Sequence, residues 1–232
     1  MSRHTQAEVS ISFASRICEH KERMNMMATF EEFRNCRNAC FALLKTDTIE
    51  AYETGQVMAL APLGEVSKTT ATASESKYYD GAPLITVNAE GADTVTLTTT
   101  VIPLKTLAML TGKQVDEKTG ALMDGPAKPV YFALGYILEK TDGTDRYVWR
   151  YKCSATIPDE SGKSANAGTE TTNQQITITG INTIHKFTKP GASQKGLVVD
   201  ESDGLADLTT FFNEVTTCDT LQPLTPEMPP EG

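Results

Sequence analysis

No stretch of this chain approaches the run of about 20 apolar residues needed to cross a bilayer, so no membrane insertion is expected. Positive charge is also short. Across 232 residues, Lys and Arg total 21 against 30 Asp and Glu, leaving a net charge of −9. A standing nucleic-acid binder must neutralise phosphates with cations, and this balance works against that role. Cysteine is sparse and odd in number: Cys18, Cys36, Cys40, Cys153 and Cys218 are scattered, without the density or pairing of a disulfide scaffold. Reduced thiols in a cytoplasmically folded protein are the expectation. Cys36 and Cys40 have no second ligand pair downstream, and His4, His20 and His185 lie far apart, so no metal site is expected. Ser154 and Ser161 lack the frame of a nucleophile elbow. Gly162, Lys163 and Gly168 lack the spacing of a phosphate loop. The sequence therefore predicts no catalytic residue and no cofactor. Its first residues show no apolar core followed by a cleavage site, so no secretory signal is read.

What is present is strand pattern. Tyr131–Cys153, YFALGYILEKTDGTDRYVWRYKC, reads as two strands joined by a Thr-Asp-Gly-Thr turn. In the second strand Tyr147, Trp149, Tyr151 and Cys153 fall on one face, with Arg146, Arg150 and Lys152 on the other. The first strand is apolar on both faces and predicts cover on both. The basic row is either a solvated face or a set of ion pairs to a neighbouring subunit's acidic loops, such as Asp116–Glu117 or Asp159–Glu160.

Elsewhere, Phe30–Lys45 is ambiguous between a helical face (Phe33, Cys36, Cys40, Leu43) and a strand near Ala39–Lys45, with the strand preferred. A short strand, VMALA, lies between Gly55 and Gly64. The Ser/Thr-rich stretch EVSKTTATASESKYYDGAP follows, with a turn at Tyr79-Asp-Gly-Ala-Pro. Little in it fixes register by burial, so this strand pair is expected to depend on a partner surface. DTVTLTTTVI (Asp93–Ile102) predicts a strand with core residues Val95, Leu97 and Val101 and a threonine row opposite. Pro103 and Gly112 bracket one short helix. Asp116–Pro129 and Pro158–Asn173 read as loops, and Gln175–Phe187 as the last strand. Leu205, Leu208, Phe211, Phe212 and Val215 lie at helical spacing, predicting a C-terminal helix over Asp200–Thr217, followed by the Pro-rich PLTPEMPPEG. At the other end, Lys21-Glu22-Arg23 can be encoded by a purine-rich string resembling a bacterial ribosome-binding site. The native start is accordingly expected at Met26 or Met27, with residues 1–26 non-native or disordered.

The strings APLITVNAEGADTVTLTTTVIPLKTLAMLTGKQVD, YFALGYILEKTDGTDRYVWRYK and NQQITITGINTIHKF, taken in order, resemble the major tail (tail tube) proteins of long-tailed, non-contractile bacteriophages. The resemblance spans roughly Phe30–Lys189. It implies a mainly β, sandwich or barrel-like fold with a flanking helix, whose subunits form hexameric rings stacked into a hollow tube through which the genome is ejected. It also implies a tape-measure protein, a tail terminator and distal tail proteins as partners, double-stranded DNA only in passage, and assembly in the host cytoplasm into the virion tail. The expected organisation is an extension over 1–26, a tube domain over 27–190, and a C-terminal helix with its Pro-rich tail over 191–232. Within the tube domain, Ser67–Asn88 is predicted to form a long hairpin reaching a neighbouring subunit, with Tyr78, Tyr79 and Asp80 at the contact. Two other readings stay open: the inner tube of a phage-derived bacteriocin or secretion system, and a bacterial cell-surface or glycan-binding β-domain presenting Trp149 and its tyrosines to solvent.

Overall fold

The computed structural model describes residues 30–164 and 171–224. The chain divides between Glu32 and Phe33, and the second unit begins at Phe33. The expected start at Met26 or Met27, the extension over 1–26 and the end of the Pro-rich tail lie outside the described residues.

The second unit is a mainly β, sandwich-like fold with one α-helix among the described residues. Its elements are β1 (Phe33–Asp47), β2 (Tyr52–Thr54), β3 (Met58–Ala59), β4 (Leu63–Tyr79), β5 (Ala82–Thr99), α1 (Leu104–Thr111), β6 (Gln114–Val115), β7 (Leu122–Met123), β8 (Phe132–Lys140), β9 (Asp145–Ala155), β10 (Gln174–Ile181) and β11 (Gly196–Asp200). A nine-stranded sheet runs β2-β1-β8-β9-β10-β5-β4, with β3 beside β1 and β11 beside β9. Every pairing is antiparallel. β1 approaches β4, so the sheet curls back toward its own edge.

Curling creates an inner and an outer face, and this chain buries both along β8. The inner core gathers Phe41, Val95, Leu97, Phe132, Leu134, Tyr136, Val148, Ile176 and Ile178, closed by Leu107 and Leu110 of α1. The outer core packs Cys40, Ala42, Ala133, Trp149 and Tyr151 beneath Phe187, Phe211 and Val215. The two-sided apolar pattern of β8 thus reflects cover from within the chain. Gly135 shows how tight the outer layer is. A Cβ there would meet Cys40 Sγ at 2.8 Å and Phe212 Cε1 and Trp149 Cη2 at 2.9 Å.

Several expected boundaries move for identifiable reasons. The strand in β1 starts earlier than expected, at Phe33. β5 ends at Thr99, so Val101, expected in the core, is 77% exposed. Ile102 is buried instead, and its N–H donates to Gln174 Oε1 at 2.8 Å. Pro103 caps α1 from just outside the helix, and Gly112 (φ 71°) ends it in the left-handed region, where a Cβ would collide with the Lys128 carbonyl. β7 lies within the region read as loop, Asp116–Pro129, and pairs with β6 just before it. The last strand stops at Ile181, because the Thr183 hydroxyl binds the His185 carbonyl at 2.9 Å and turns the chain away. Cys153 leaves the Tyr147–Trp149–Tyr151 face. A register shift between Phe132 and Leu134 rephases β9, so Cys153 pairs with Phe132 and joins the inner core.

The expected C-terminal helix does not form. β11 extends the sheet along β9, one 3-10 turn follows at Glu201–Asp203, and Gly204 (φ 60°) ends it. The remaining segment is a series of turns. Local side-chain bonds compete with helical ones there: Asp207 Oδ1 accepts from Thr209 N at 3.0 Å, and Thr217 Oγ1 accepts from Thr220 N at 3.2 Å. The apolar residues still reach the outer core, except Leu205, which is 75% exposed. The boundary expected at 190/191 is accordingly no structural break, since β11 belongs to the main sheet.

Candidate functional site

Among the described residues, the β4–β5 hairpin is a long element without cover from the rest of the chain. Its two-residue turn, Asp80-Gly81, has φ of 51° and 78°, the positive pair of a type I′ turn that matches strand twist. Tyr79 pairs with Ala82 and Tyr78 with Pro83. From residue 71 to residue 91 every position is exposed, including Tyr78 at 68% and Val87 at 50%. Nine residues at about 3.3 Å each make a ribbon of about 30 Å. The expected hairpin over Ser67–Asn88 is present, with Tyr78, Tyr79 and Asp80 at its tip.

At its root the hairpin is anchored by charge. Asp93 is 1% exposed. Its Oδ1 accepts from Thr70 Oγ1 at 2.9 Å and lies 3.4 Å from Lys195 Nζ, while its Oδ2 lies 3.4 Å from Lys68 Nζ and 3.6 Å from Arg150 Nη1. Burial pushes the Asp93 carboxyl up, yet the Thr70 hydroxyl and the three cations outweigh it and leave it below the usual carboxylate range.

The basic row of β9 takes part in such anchors throughout. Arg146 forks onto Asp200, with Nε–Oδ1 at 2.6 Å and Nη2–Oδ2 at 2.7 Å. Arg150 faces Asp93, and Lys152 Nζ reaches Asp47 Oδ2 at 2.6 Å. The row was expected either as a solvated face or as cations for a neighbour's acidic loops. Within its own chain each of the three cations meets an acid, Asp200, Asp93 and Asp47 respectively. Asp47 also accepts the backbone N–H groups of Ile184 and His185, tying the chain after β10 to β1. His185 Nδ1 lies 3.2 Å from the Ile49 carbonyl, and its ring packs edge-on to Phe187.

These carboxylates give opposite signs of pH dependence. Asp47, like Asp93, is pushed up by burial and pulled lower still by Lys152 and the two backbone donors; Asp200 is lowered by Arg146 first. Such groups contribute stability above the unfolded value of about 3.9, lost as pH falls through the lower folded value. Asp145 runs the other way: burial raises it in spite of Arg37, so its ionised form opposes folding at neutral pH. Thermal melts at pH 7 are expected to show Asp93→Asn lowered and Asp145→Asn unchanged or raised. The Asp93→Asn deficit is expected to shrink below about pH 4.

The chemistry of the remaining groups is quiet. Cys36, Cys40, Cys153 and Cys218 are free thiols, and burial pushes Cys40 and Cys153 up to about 12, away from the reactive thiolate. Among the described residues, no three or more His, Cys, Asp or Glu side chains gather as a metal site, and no helix is long and apolar enough to cross a membrane. No protein-family model and no curated protein matches this chain.

Proposed function

We propose that this chain is a virion structural protein that polymerises as stacked, hexameric rings into the tail tube of a long-tailed bacteriophage, the conduit for genome ejection. One observation carries the reading: a β-hairpin of about 30 Å that none of the described residues outside it covers over residues 71–91. An isolated two-stranded ribbon is marginal in water. A second copy that takes up this hairpin, by its faces or by strand addition at its edges, supplies the missing burial. A head-to-tail contact of that kind closes into rings or extends into filaments. The net charge of −9 suits a wall that DNA slides past without being held. The sequence resemblance to tail tube proteins supplies the remaining partners: tape-measure, terminator and distal tail proteins.

An inner tube of a bacteriocin or secretion system would be built the same way, and neighbouring portal and terminase genes separate it from a phage. The glycan-binding reading required an exposed aromatic platform. Trp149 and Tyr151 are 0% exposed, which removes that support. Sedimentation velocity of the purified chain tests the proposal. Species far larger than the 25.2 kDa monomer are expected, and a chain that stays monomeric at high concentration overturns it.

A further inference from the structure

Four Asp-Gly steps occur among the described residues: Asp80–Gly81, Asp124–Gly125, Asp142–Gly143 and Asp203–Gly204. Such a step can react with itself, because glycine has no side chain to keep its nitrogen from the aspartate Cγ. Reaction needs a carboxyl group that is not held elsewhere, a glycine N–H without a partner, and a backbone able to leave its turn. The structure ranks the four steps on those conditions.

Three of them are restrained. The Asp142 carboxylate accepts both the N–H and the hydroxyl of Thr144 at 2.8 Å, and the Gly143 N–H donates to the Lys140 carbonyl at 3.1 Å. The Gly204 N–H donates to the Glu201 carbonyl at 3.0 Å. Asp124 pairs with Lys113, which holds its carboxyl group below the usual range and so in the ionised, less electrophilic form. Asp80 differs on every count. It and Gly81 are exposed, and among the described residues no hydrogen bond or ion pair engages its carboxylate or the Gly81 N–H. The ladder closes one step outside them, at Tyr79 and Ala82. Asp80 also sits at φ 51°, a left-handed conformation that an L-residue leaves with relief of strain. A ribbon uncovered over residues 71–91 opens locally at low cost.

We propose that Asp80–Gly81 is a site of spontaneous aspartyl isomerisation in the free chain. The Gly81 nitrogen attacks Asp80 Cγ and a C–N bond forms. The departing carboxyl oxygen leaves as water, carrying the amide proton and a carboxyl proton. The cyclic imide then takes one water back. Opening at the bond to Cγ restores aspartate. Opening at the bond to the Asp80 carbonyl carbon gives isoaspartate, with the backbone routed through Cβ and Cγ and the former main-chain carbonyl freed as a carboxylate. Water lost equals water gained, so no oxidant or other co-reactant is required. The product has one extra backbone atom between Tyr79 and Ala82, which a two-residue type I′ turn does not accommodate. The Tyr79–Ala82 pairing is therefore lost, and the tip becomes a substrate for methyltransferases that recognise isoaspartyl carboxylates. The reaction needs no second copy, so it stands apart from the self-assembly reading.

The test incubates the purified full chain at neutral pH in oxygen-18 water, diluted until sedimentation velocity shows monomer, and then digests it with trypsin. The peptide Tyr78–Lys105 holds this Asp-Gly step and no other. Isoaspartate is read at each step by chromatographic separation, by uptake of one heavy oxygen, and by methyl transfer from labelled S-adenosylmethionine with an isoaspartyl methyltransferase. It is expected to accumulate first at Asp80 and to exceed the other three steps together. Asp80→Gly leaves a Gly-Gly turn at ease with positive φ, and is expected to lose the signal in that peptide while its melting curve is unchanged. A synthetic peptide of residues 76–85, which has no fold to restrain it, sets the time scale. Faster accumulation at Asp124, Asp142 or Asp203 overturns the assignment, as does a signal that survives Asp80→Gly. An intact Asp80 in the folded chain after the synthetic peptide has isomerised overturns it too.

Discussion

Deleting Ser74–Pro83 is expected to abolish polymerisation while leaving the melting temperature of the monomer within about 2 °C of wild type. Every deleted residue is exposed, so the monomer loses almost no buried area. Ala73 and Ala89 already pair across the ladder. The deletion leaves a five-residue loop between them, a length that hairpins accept. The Asp93 anchor lies below the cut and keeps Thr70, Lys68, Arg150 and Lys195 in place. What disappears is the ribbon on which the proposed association depends. Intact tubes from the shortened chain would show that other surfaces suffice. Size-exclusion chromatography beside a thermal melt reads both halves of the expectation on one sample.

Trp149→Ala is expected to be the most damaging single change to the fold. The indole is 0% exposed and lies against Phe212, with ring centroids 5.4 Å apart. Its Nε1–H donates to the Phe211 carbonyl at 3.0 Å. Truncating a buried tryptophan costs about 3–5 kcal/mol, and the stranded carbonyl adds to that. For a domain of this size the melting temperature falls by about 10 °C or more. The loss has a location as well as a magnitude. Residues 205–221 are held to the sheet by this outer core, by the Trp149–Phe211 bond and by Asp219, which accepts the N–H groups of Thr188 and Lys189 at 2.7 and 2.8 Å. Limited proteolysis of the variant is expected to cut first in that segment. Cutting no faster than in wild type would mean that the segment is held by something else.

Local signals carried most of the architecture. The Thr-Asp-Gly-Thr and Asp-Gly turns, the alternating burial of Val95 and Leu97, and the Pro103–Gly112 bracket all depend on residues close in sequence, and each lies where the pattern places it. The two-sided burial of β8 was legible too, though not what would cover it. Long-range partnership was not. Asp47, Asp93 and Asp200 carry no sequence mark as partners for Lys152, Arg150 and Arg146, because 54 to 105 positions separate them along the chain. The basic row therefore reads as available for a neighbour until the fold brings its own acids up to it. The C-terminal stripe misleads for a related reason. Helical spacing records only that Phe211, Phe212 and Val215 must be buried, and a chain of turns pinned by Trp149 buries them as well as a helix would. β11 is five residues long and acquires its identity from the edge of β9.

For the candidate site, composition marked the hairpin as weakly self-sufficient, and its exposure over residues 71–91 agrees. The cross-strand partners emerged only with the register, because the extra residues opposite Thr70–Thr72 and Lys77–Tyr78 shift the phase of β5 relative to β4. Counting alternate residues along either strand alone does not bring Ile85 beside Lys77 or Val87 beside Glu75.

Negative-stain electron microscopy of the purified wild-type chain addresses the central claim most directly. Rings with a central hole, and stacks of them at higher concentration, are the result this account expects. Isolated particles of monomer size at every concentration would contradict it.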